Sequence, residues 1–189
     1  GDVADAGLVR ALLEEHRPQA VLHLAAETHV DRSIDEPPQF ARTNVLGTCT
    51  LLDETTRYWT GLSGDDRDHF RFLFMSTDEV FGSLGPEDAS CDEQVPYRPR
   101  NPYAASKAAA DHFVAAFHFT HGLPTLVTRG SNTYGPGQHA EKLVALAIGR
   151  ILDGEPAPLY GDGLAVRDWL YVSDHAAALI AVLERGVPG

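Results

Sequence analysis

The chain is short of positive charge: 15 Lys and Arg stand against 27 Asp and Glu, a formal balance of −12. Such a field argues against nucleic acid and anionic membrane surfaces as partners, and any anionic ligand needs local Arg or Lys to overcome it. Cysteine is nearly absent, with only Cys49 and Cys91, in dissimilar contexts. That scarcity fits a reducing compartment, although spacing alone leaves one disulfide open. No apolar run approaches the ~20 residues of a membrane helix, and no signal peptide opens the chain, so the expected address is cytoplasmic. The nine histidines contain no set with zinc-ligand spacing, and core or surface positions are expected for them. A Gly-rich phosphate turn is missing too. "GPGQHA" (135–140) fits G-x-G-x-x-A, but Pro136 and the lack of a buried strand running into it make it a poor phosphate loop.

What is present is globular: 43% hydrophobic and 22% charged residues in 189, enough for one ordinary domain with a substantial core. Buried strands are predicted over 19–27 ("QAVLHLAAE"), 69–77 ("HFRFLFMST") and 123–130 ("LPTLVTRG"). Helices are predicted over the stretch after Gly1, over 37–59, 101–122, 141–154 and 174–185. Asn101, Pro102 and Gly122 punctuate the third of these as cap, first turn and stop. Residues 158–172 read as two short strands around a Gly turn, and 82–101 as a long functional loop. Strands alternating with helices imply an α/β fold with a doubly wound, Rossmann-like parallel sheet. The first residues read as a strand end entering a helix, without an initiator Met, and the last stop just after a helix. An internal piece of a longer protein is therefore expected, lacking an N-terminal βαβ unit.

Ligands in such sheets collect beyond the carboxyl ends of the strands, which places Ala25–Glu27, Ser76–Glu79 and Arg129–Asn132 around one crevice. The stretch "FLFMSTDEVFG" (72–82) ends a buried strand on two adjacent carboxylates, Asp78 and Glu79. Consecutive strand residues point to opposite faces, so the pair can address one ligand only if the strand has already ended. Tyr103 and Lys107 stand four apart, on one helix face. They read either as a packed ring beside a snorkelling amine or as an acid–base pair in which the ammonium lowers the phenol's pKa. Thr77, some 26 residues earlier, can offer a hydroxyl to the same alcohol, which favours the second reading.

Thr77 with Y-x-x-x-K resembles the extended short-chain dehydrogenase/reductase superfamily. The stretches "LAAETHVDRSIDEPPQFARTNVLGT", "STDEVFG", "NPYAASKAAADHFV", "SNTYGPGQHAEKL" and "PLYGDGLAVRDWLYVSDH", in order along the chain, resemble the dTDP-glucose 4,6-dehydratases. Epimerases of the superfamily lack the Asp–Glu pair, and enzymes acting on UDP-glucuronate or GDP-mannose typically keep only the Glu.

The resemblance implies a cofactor, NAD, that takes the C4 hydride of the sugar and returns it to C6. Tyr103 would deprotonate the 4-hydroxyl, Thr77 would hydrogen-bond the 4-oxygen, Glu79 would remove the C5 proton and Asp78 would protonate the departing 6-hydroxyl. Lys107 completes the catalytic set. The resemblance assigns Asp2, Val3, Leu24, Ala25, Ala26, Thr28, Thr43, Tyr103, Lys107 and Thr133 to the cofactor. It gives the sugar-nucleotide Thr28, Thr77, Asn132, Lys142, Leu143, Pro158, Leu159, Tyr160 and Arg167. Asn44 matches a helix Asn that steadies the active site. Residues 1–130 would be a partial NAD-binding domain and 131–189 part of the nucleotide-sugar region. A homodimer through 37–59 and 102–121 is expected. Phe81, Thr133 and Gly130 depart from the family's usual Tyr, Asn and Cys, and none touches the proposed acid, base or Tyr–Lys pair. Another nucleotide-sugar dehydratase, a 4-epimerase or a catalytically silent binding domain are the alternatives.

Overall fold

A computed structural model describes residues 1–83, 91–159, 161–164 and 166–189. Contacts divide it into one unit of Gly1–Arg129 with Val182–Gly189 and a second of Gly130–Ala181.

The first unit is built on a three-stranded sheet in the order β1 (Ala20–His23), β2 (Arg71–Thr77), β3 (Thr125–Gly130). β1 and β2 pair in parallel, with Ala20 opposite Arg71 and His23 opposite Phe74. The central strand is the apolar one for a physical reason. Phe72, Leu73 and Phe74 are all fully buried, so both of its faces are covered. Phe70, Phe72 and Phe74 pack with Leu52, Ala110, Val114 and Leu123 in one cluster. Burial of a Phe side chain is worth about 2–3 kcal/mol, so this strand anchors the unit.

Ahead of β1 runs α1 (Ala6–His16), capped by Asp5, whose carboxylate accepts the Leu8 N–H. After it come α2 (Val30–Asp35) and a long helical stretch: α3 (Pro37–Phe40), a π-helical turn (Ala41–Leu46) and α4 (Gly47–Thr60). The spacing over 37–59 predicts one uninterrupted helix instead. The π turn inserts an extra residue per turn, and within and just after it Asn44 and Thr48 are buried. The short α5 (Gly64–Asp68) leads into β2.

Helix α6 (Pro102–His121) follows its punctuation. Asn101 caps it by accepting the Ala104 N–H, Pro102 sits in the first turn, and Gly122 closes it in the left-handed region at φ 73°. β1 is shorter than its apolar run. Residues 24–27 leave the sheet because the Glu27 backbone pairs with the Asn44 side chain instead.

In the second unit β4 (Asn132–Tyr134) pairs in parallel with β5 (Trp169–Tyr171). Tyr134 meets the Trp169 and Tyr171 rings edge-on. Between them lies α7 (Leu143–Leu152), none of whose residues is buried, and α8 (Val172–Arg185) follows. Of the two strands expected in 158–172, only 169–171 forms among the described residues, and 161–163 is a turn. Among the described residues no helix is long and apolar enough to cross a membrane.

Candidate active site

Strand β2 ends at Thr77, and Asp78–Phe81 wind into a 3-10 turn. This removes the geometric obstacle to using adjacent carboxylates, because the alternation of a strand no longer applies to them. The Thr77 hydroxyl is the pivot of that turn. It accepts the Glu79 N–H at 3.3 Å and donates to Asp78 Oδ1 at 3.2 Å. Asp78 is exposed and Glu79 half-buried, while Val80 beneath them is fully buried. The turn is held from below by Arg98, whose N–H donates to Val80 O at 2.9 Å. Gly82 closes it at φ 94°, where a Cβ would lie 2.6 Å from the Arg98 carbonyl oxygen.

The first turns of α6 bring Tyr103 and Lys107 to the same end of β2. Tyr103 is 9% exposed, and the Thr77 hydroxyl is among the groups acting on its phenol. Its phenol is pushed up to about 12, by burial first and then by the Glu79 charge; the Thr77 hydroxyl pulls the other way, and Asp78 adds to the rise. The spacing Y-x-x-x-K predicts the opposite direction, with the ammonium holding the phenol down. The correction has a visible cause. Lys107 Nζ donates to Met75 O at 2.7 Å and lies 4.1 Å from the centre of the Phe74 ring, so it is spent on the strand. Burial lowers the Lys107 ammonium to about 8, against an opposing pull from Asp111. At 3% exposure it has one hydrogen-bond acceptor among the described residues, although an ammonium carries three N–H donors.

A buried polar chain fixes the end of β1 against α6. The Asn44 amide accepts the Glu27 N–H at 2.8 Å, and its NH₂ donates to Glu27 O at 3.0 Å and to Ser106 Oγ at 2.9 Å. Ser106 in turn donates to the Tyr103 carbonyl at 2.7 Å. Thr48 gives its proton to Asn44 O at 2.6 Å, so the 2.9 Å contact with His23 requires the His23 Nε2 to be the donor. Burial and, less, the Lys107 charge push His23 down to about 4, so the ring is neutral at physiological pH. Asn44, 1% exposed, thus ties the 24–28 segment to the helix that carries Tyr103.

Two further sets of contacts had no sequence signal. Asn101 Nδ2 donates to Glu79 Oε2 at 3.0 Å while Asn101 caps α6. Tyr97 donates to Asp111 Oδ2 at 2.7 Å, Arg129 Nε donates to the same oxygen at 3.1 Å, and Arg129 also donates to the Tyr97 hydroxyl. Tyr97 stacks edge-on against Phe81, which locks the far side of the acid turn. Both pairs join residues far apart in sequence, and spacing carries no trace of them.

The remaining candidates are dispersed. Asp2 is exposed and engaged by the Ala4 N–H at 2.9 Å and by Arg42 at 3.1 Å. Its carboxyl is held low, first by the Ala4 bond and then by Arg42. Val3 packs on Gly47, where a Cβ would meet its Cγ2 at 2.5 Å. Leu24 is 47% exposed, Ala25 and Thr28 are exposed, and Ala26 is half-buried. Thr43 accepts from Gln39 at 3.4 Å.

In the second unit Thr133 contacts His175 Nδ1 at 2.6 Å, and Asn132 is exposed. Lys142 is half-buried, 3.8 Å from Glu141, Pro158 is half-buried, and Leu143 and Leu159 are exposed. The exposed Arg167 donates to the Val166 carbonyl at 3.0 Å. Tyr160 lies outside the described residues. "GPGQHA" forms a turn in which Gln138 N–H donates to Gly135 O, after the three-residue β4 rather than a buried strand.

The chain is similar to known proteins along its whole length. A dTDP-glucose 4,6-dehydratase of Xanthomonas campestris pv. campestris (strain B100) is 56% identical over 189 residues, which are all of this chain and 54% of that protein. The chain therefore spans about half the length of the curated relatives it matches. Among solved structures, the dTDP-glucose 4,6-dehydratase DesIV of Streptomyces venezuelae, with NAD and TYD bound, superposes with a TM-score of 0.90 at 44% identity, covering 100% of this chain and 55% of that one. A Thermus thermophilus UDP-glucose 4-epimerase in complex with NAD superposes at 0.87 with 34% identity, over 97% of this chain and 58% of the other. The Rossmann-like fold is thus shared with both dehydratases and epimerases. A profile of the family described as GDP-mannose 4,6 dehydratase matches residues 1–189, and the chain belongs to that family.

Proposed function

We propose that the chain carries the catalytic residues of a dTDP-glucose 4,6-dehydratase, which converts dTDP-glucose to dTDP-4-keto-6-deoxyglucose. One observation carries this reading: two carboxylates leave β2 on a 3-10 turn beside a buried tyrosine whose phenol feels both their charges. An epimerase moves a hydride and one hydroxyl proton. It has no work for a second acid–base pair.

NAD is the proposed cofactor, and the chemistry of the residues present fits it. Lys107 keeps N–H donors without acceptors among the described residues, which suits the hydroxyls of a ribose. Tyr103, at about 12, is a poor base until a positive charge comes near, and an oxidised nicotinamide carries one. Tyr103 and Lys107 would hold the nicotinamide end, with Leu24, Ala25, Ala26, Thr28 and Thr43 along the crevice, Asp2 and Val3 at the adenine, and Thr133 a further contact. When bound, NAD supplies the hydride acceptor for C4 and the donor for C6.

The protein's own residues handle the protons. Tyr103 takes the proton of the 4-hydroxyl, and Thr77 steadies the 4-oxygen. Oxidation at C4 acidifies the C5 proton. Glu79 removes that proton, Asp78 protonates the 6-hydroxyl, and water departs. Asn132, Lys142, Leu143, Pro158, Leu159, Tyr160 and Arg167, with Thr28 and Thr77, are assigned to the sugar-nucleotide. Lys142 and Arg167 supply cations for its diphosphate. A cytoplasmic homodimer through 37–59 and 102–121 is the proposed form. Phe113 and Phe119 on α6 are 42% and 81% exposed, which supports a partner there.

The test is mass spectrometry of the product formed by the full-length protein from dTDP-glucose and NAD in heavy water. Loss of one water with one solvent deuteron at C5 is the expected result. A product of unchanged mass with inverted C4 means an epimerase. Tight binding without turnover on any nucleotide sugar means a silent binding domain.

A further inference from the structure

The geometry points to Asn101 as a positioning residue for Glu79, the proposed C5 base; this deepens the dehydratase reading and rests on it. Asn101 sits at the N-cap of α6 with extended backbone angles, φ −142° and ψ 163°. Its Oδ1 accepts the Ala104 N–H at 2.7 Å, and its main-chain oxygen accepts the Ala105 N–H at 2.9 Å. The cap therefore fixes which way the amide faces. With Oδ1 committed to the helix, the NH₂ can only point outward, and it donates to Glu79 Oε2 at 3.0 Å.

Few side chains can do both jobs. Asp caps a helix equally well but has no N–H to offer a carboxylate. Ser caps well too, yet it ends where the Asn side chain branches, one bond short of Glu79. Asn101 alone lets the helix that carries Tyr103 and Lys107 set the rotation of the Glu79 carboxylate. The consequence is a division between the two oxygens. Oε2 is held by the cap, and Oε1 has no hydrogen-bond partner among the described residues, so it is the oxygen presented to a substrate proton. One residue thereby registers the elimination base against the Tyr103 hydroxyl that opens the reaction at C4.

The experiment compares the full-length wild type with Asn101→Ser and Asn101→Asp on dTDP-glucose, unlabelled and deuterated at C5. Both variants keep a good cap, so melting temperatures stay within about 2 °C of wild type. For both, kcat falls by about 10- to 100-fold with KM within about twofold. The Asp variant, which sets like charges together, falls further. The C5-deuterium isotope effect on kcat rises, because proton removal at C5 has become slow. A cap of purely structural importance predicts otherwise: melting temperature, kcat and isotope effect all stay near wild type in both variants. That result, or wild-type kcat in Asn101→Ser, overturns the inference while the wild type still dehydrates its substrate. A wild type that releases no water overturns the dehydratase reading itself, and the role of Asn101 with it.

Discussion

The two units differ in how their candidate residues are held. At the end of β2, Thr77, Glu79, Asn101 and Lys107 are joined by hydrogen bonds to one another or to the buried strand, with Tyr103 buried beside them. In the unit of Gly130–Ala181, Arg167 turns to the carbonyl of its own neighbour, Leu159 is 74% exposed, and α7 buries nothing. The contrast teaches where precision resides. Proton transfers tolerate little misplacement, and the groups proposed for them are locked by local packing. The described residues of the second unit that are proposed for the nucleotide are exposed or half-buried.

The largest effect should come from the locked end. Tyr103→Phe removes the hydroxyl that takes the C4 proton while keeping the ring, and kcat of the full-length protein should fall by about 10³-fold with little change in melting temperature. A variant that retains more than a tenth of the activity would break the contrast.

Next comes the polar chain behind it. Asn44→Ala leaves the Glu27 N–H and carbonyl without their amide partners at a site 1% exposed. The expected cost is about 3 kcal/mol, read as a shift in urea midpoint.

Acid attacks the same chain through His23, to a similar extent. Its folded pKa, about 4, lies below the unfolded 6.5, because burial disfavours the imidazolium. The folded state then binds fewer protons than the unfolded one between those values. This stability is complete above about pH 6.5 and is lost as the pH falls toward 4. It amounts to about 3 kcal/mol by the linkage relation. His23→Gln should flatten the acid limb of stability against pH; an unchanged limb would place the acid sensitivity elsewhere.

The smallest effect is expected in the second unit. A Cβ at Gly130 would lie 2.9 Å from His175 Cε1, so Gly130→Cys must push the ring and loosen its 2.6 Å contact with Thr133. About 1 kcal/mol of stability should go, and kcat should hold. A loss equal to that of Asn44→Ala would erase the distinction between the units.

Much of this was legible in the sequence, for identifiable reasons. Helix α6 carries its own punctuation in Asn101, Pro102 and Gly122, and β2 announces itself by its phenylalanines. The acid pair stood out because carboxylates at the end of a buried strand need a use. What escaped was nonlocal. The π turn at Ala41–Leu46 is a change of hydrogen-bond register with no compositional mark. β4 is three residues long and exists only by pairing with β5. The i, i+4 spacing correctly put Lys107 one turn from Tyr103 but could not say that Nζ would reach back to Met75, which reverses the direction expected for the phenol. Asn101 was visible as a cap, but its bond to Glu79, 22 residues away, was not.

The central claim is that the turn after β2 performs an elimination that Tyr103 alone cannot. The most direct test is Glu79→Gln in the full-length protein, incubated with dTDP-glucose and NAD in heavy water. The account predicts a folded protein that binds the nucleotide sugar, releases no water and places no deuteron at C5. Dehydration at the wild-type rate, with deuterium still entering C5, would contradict it.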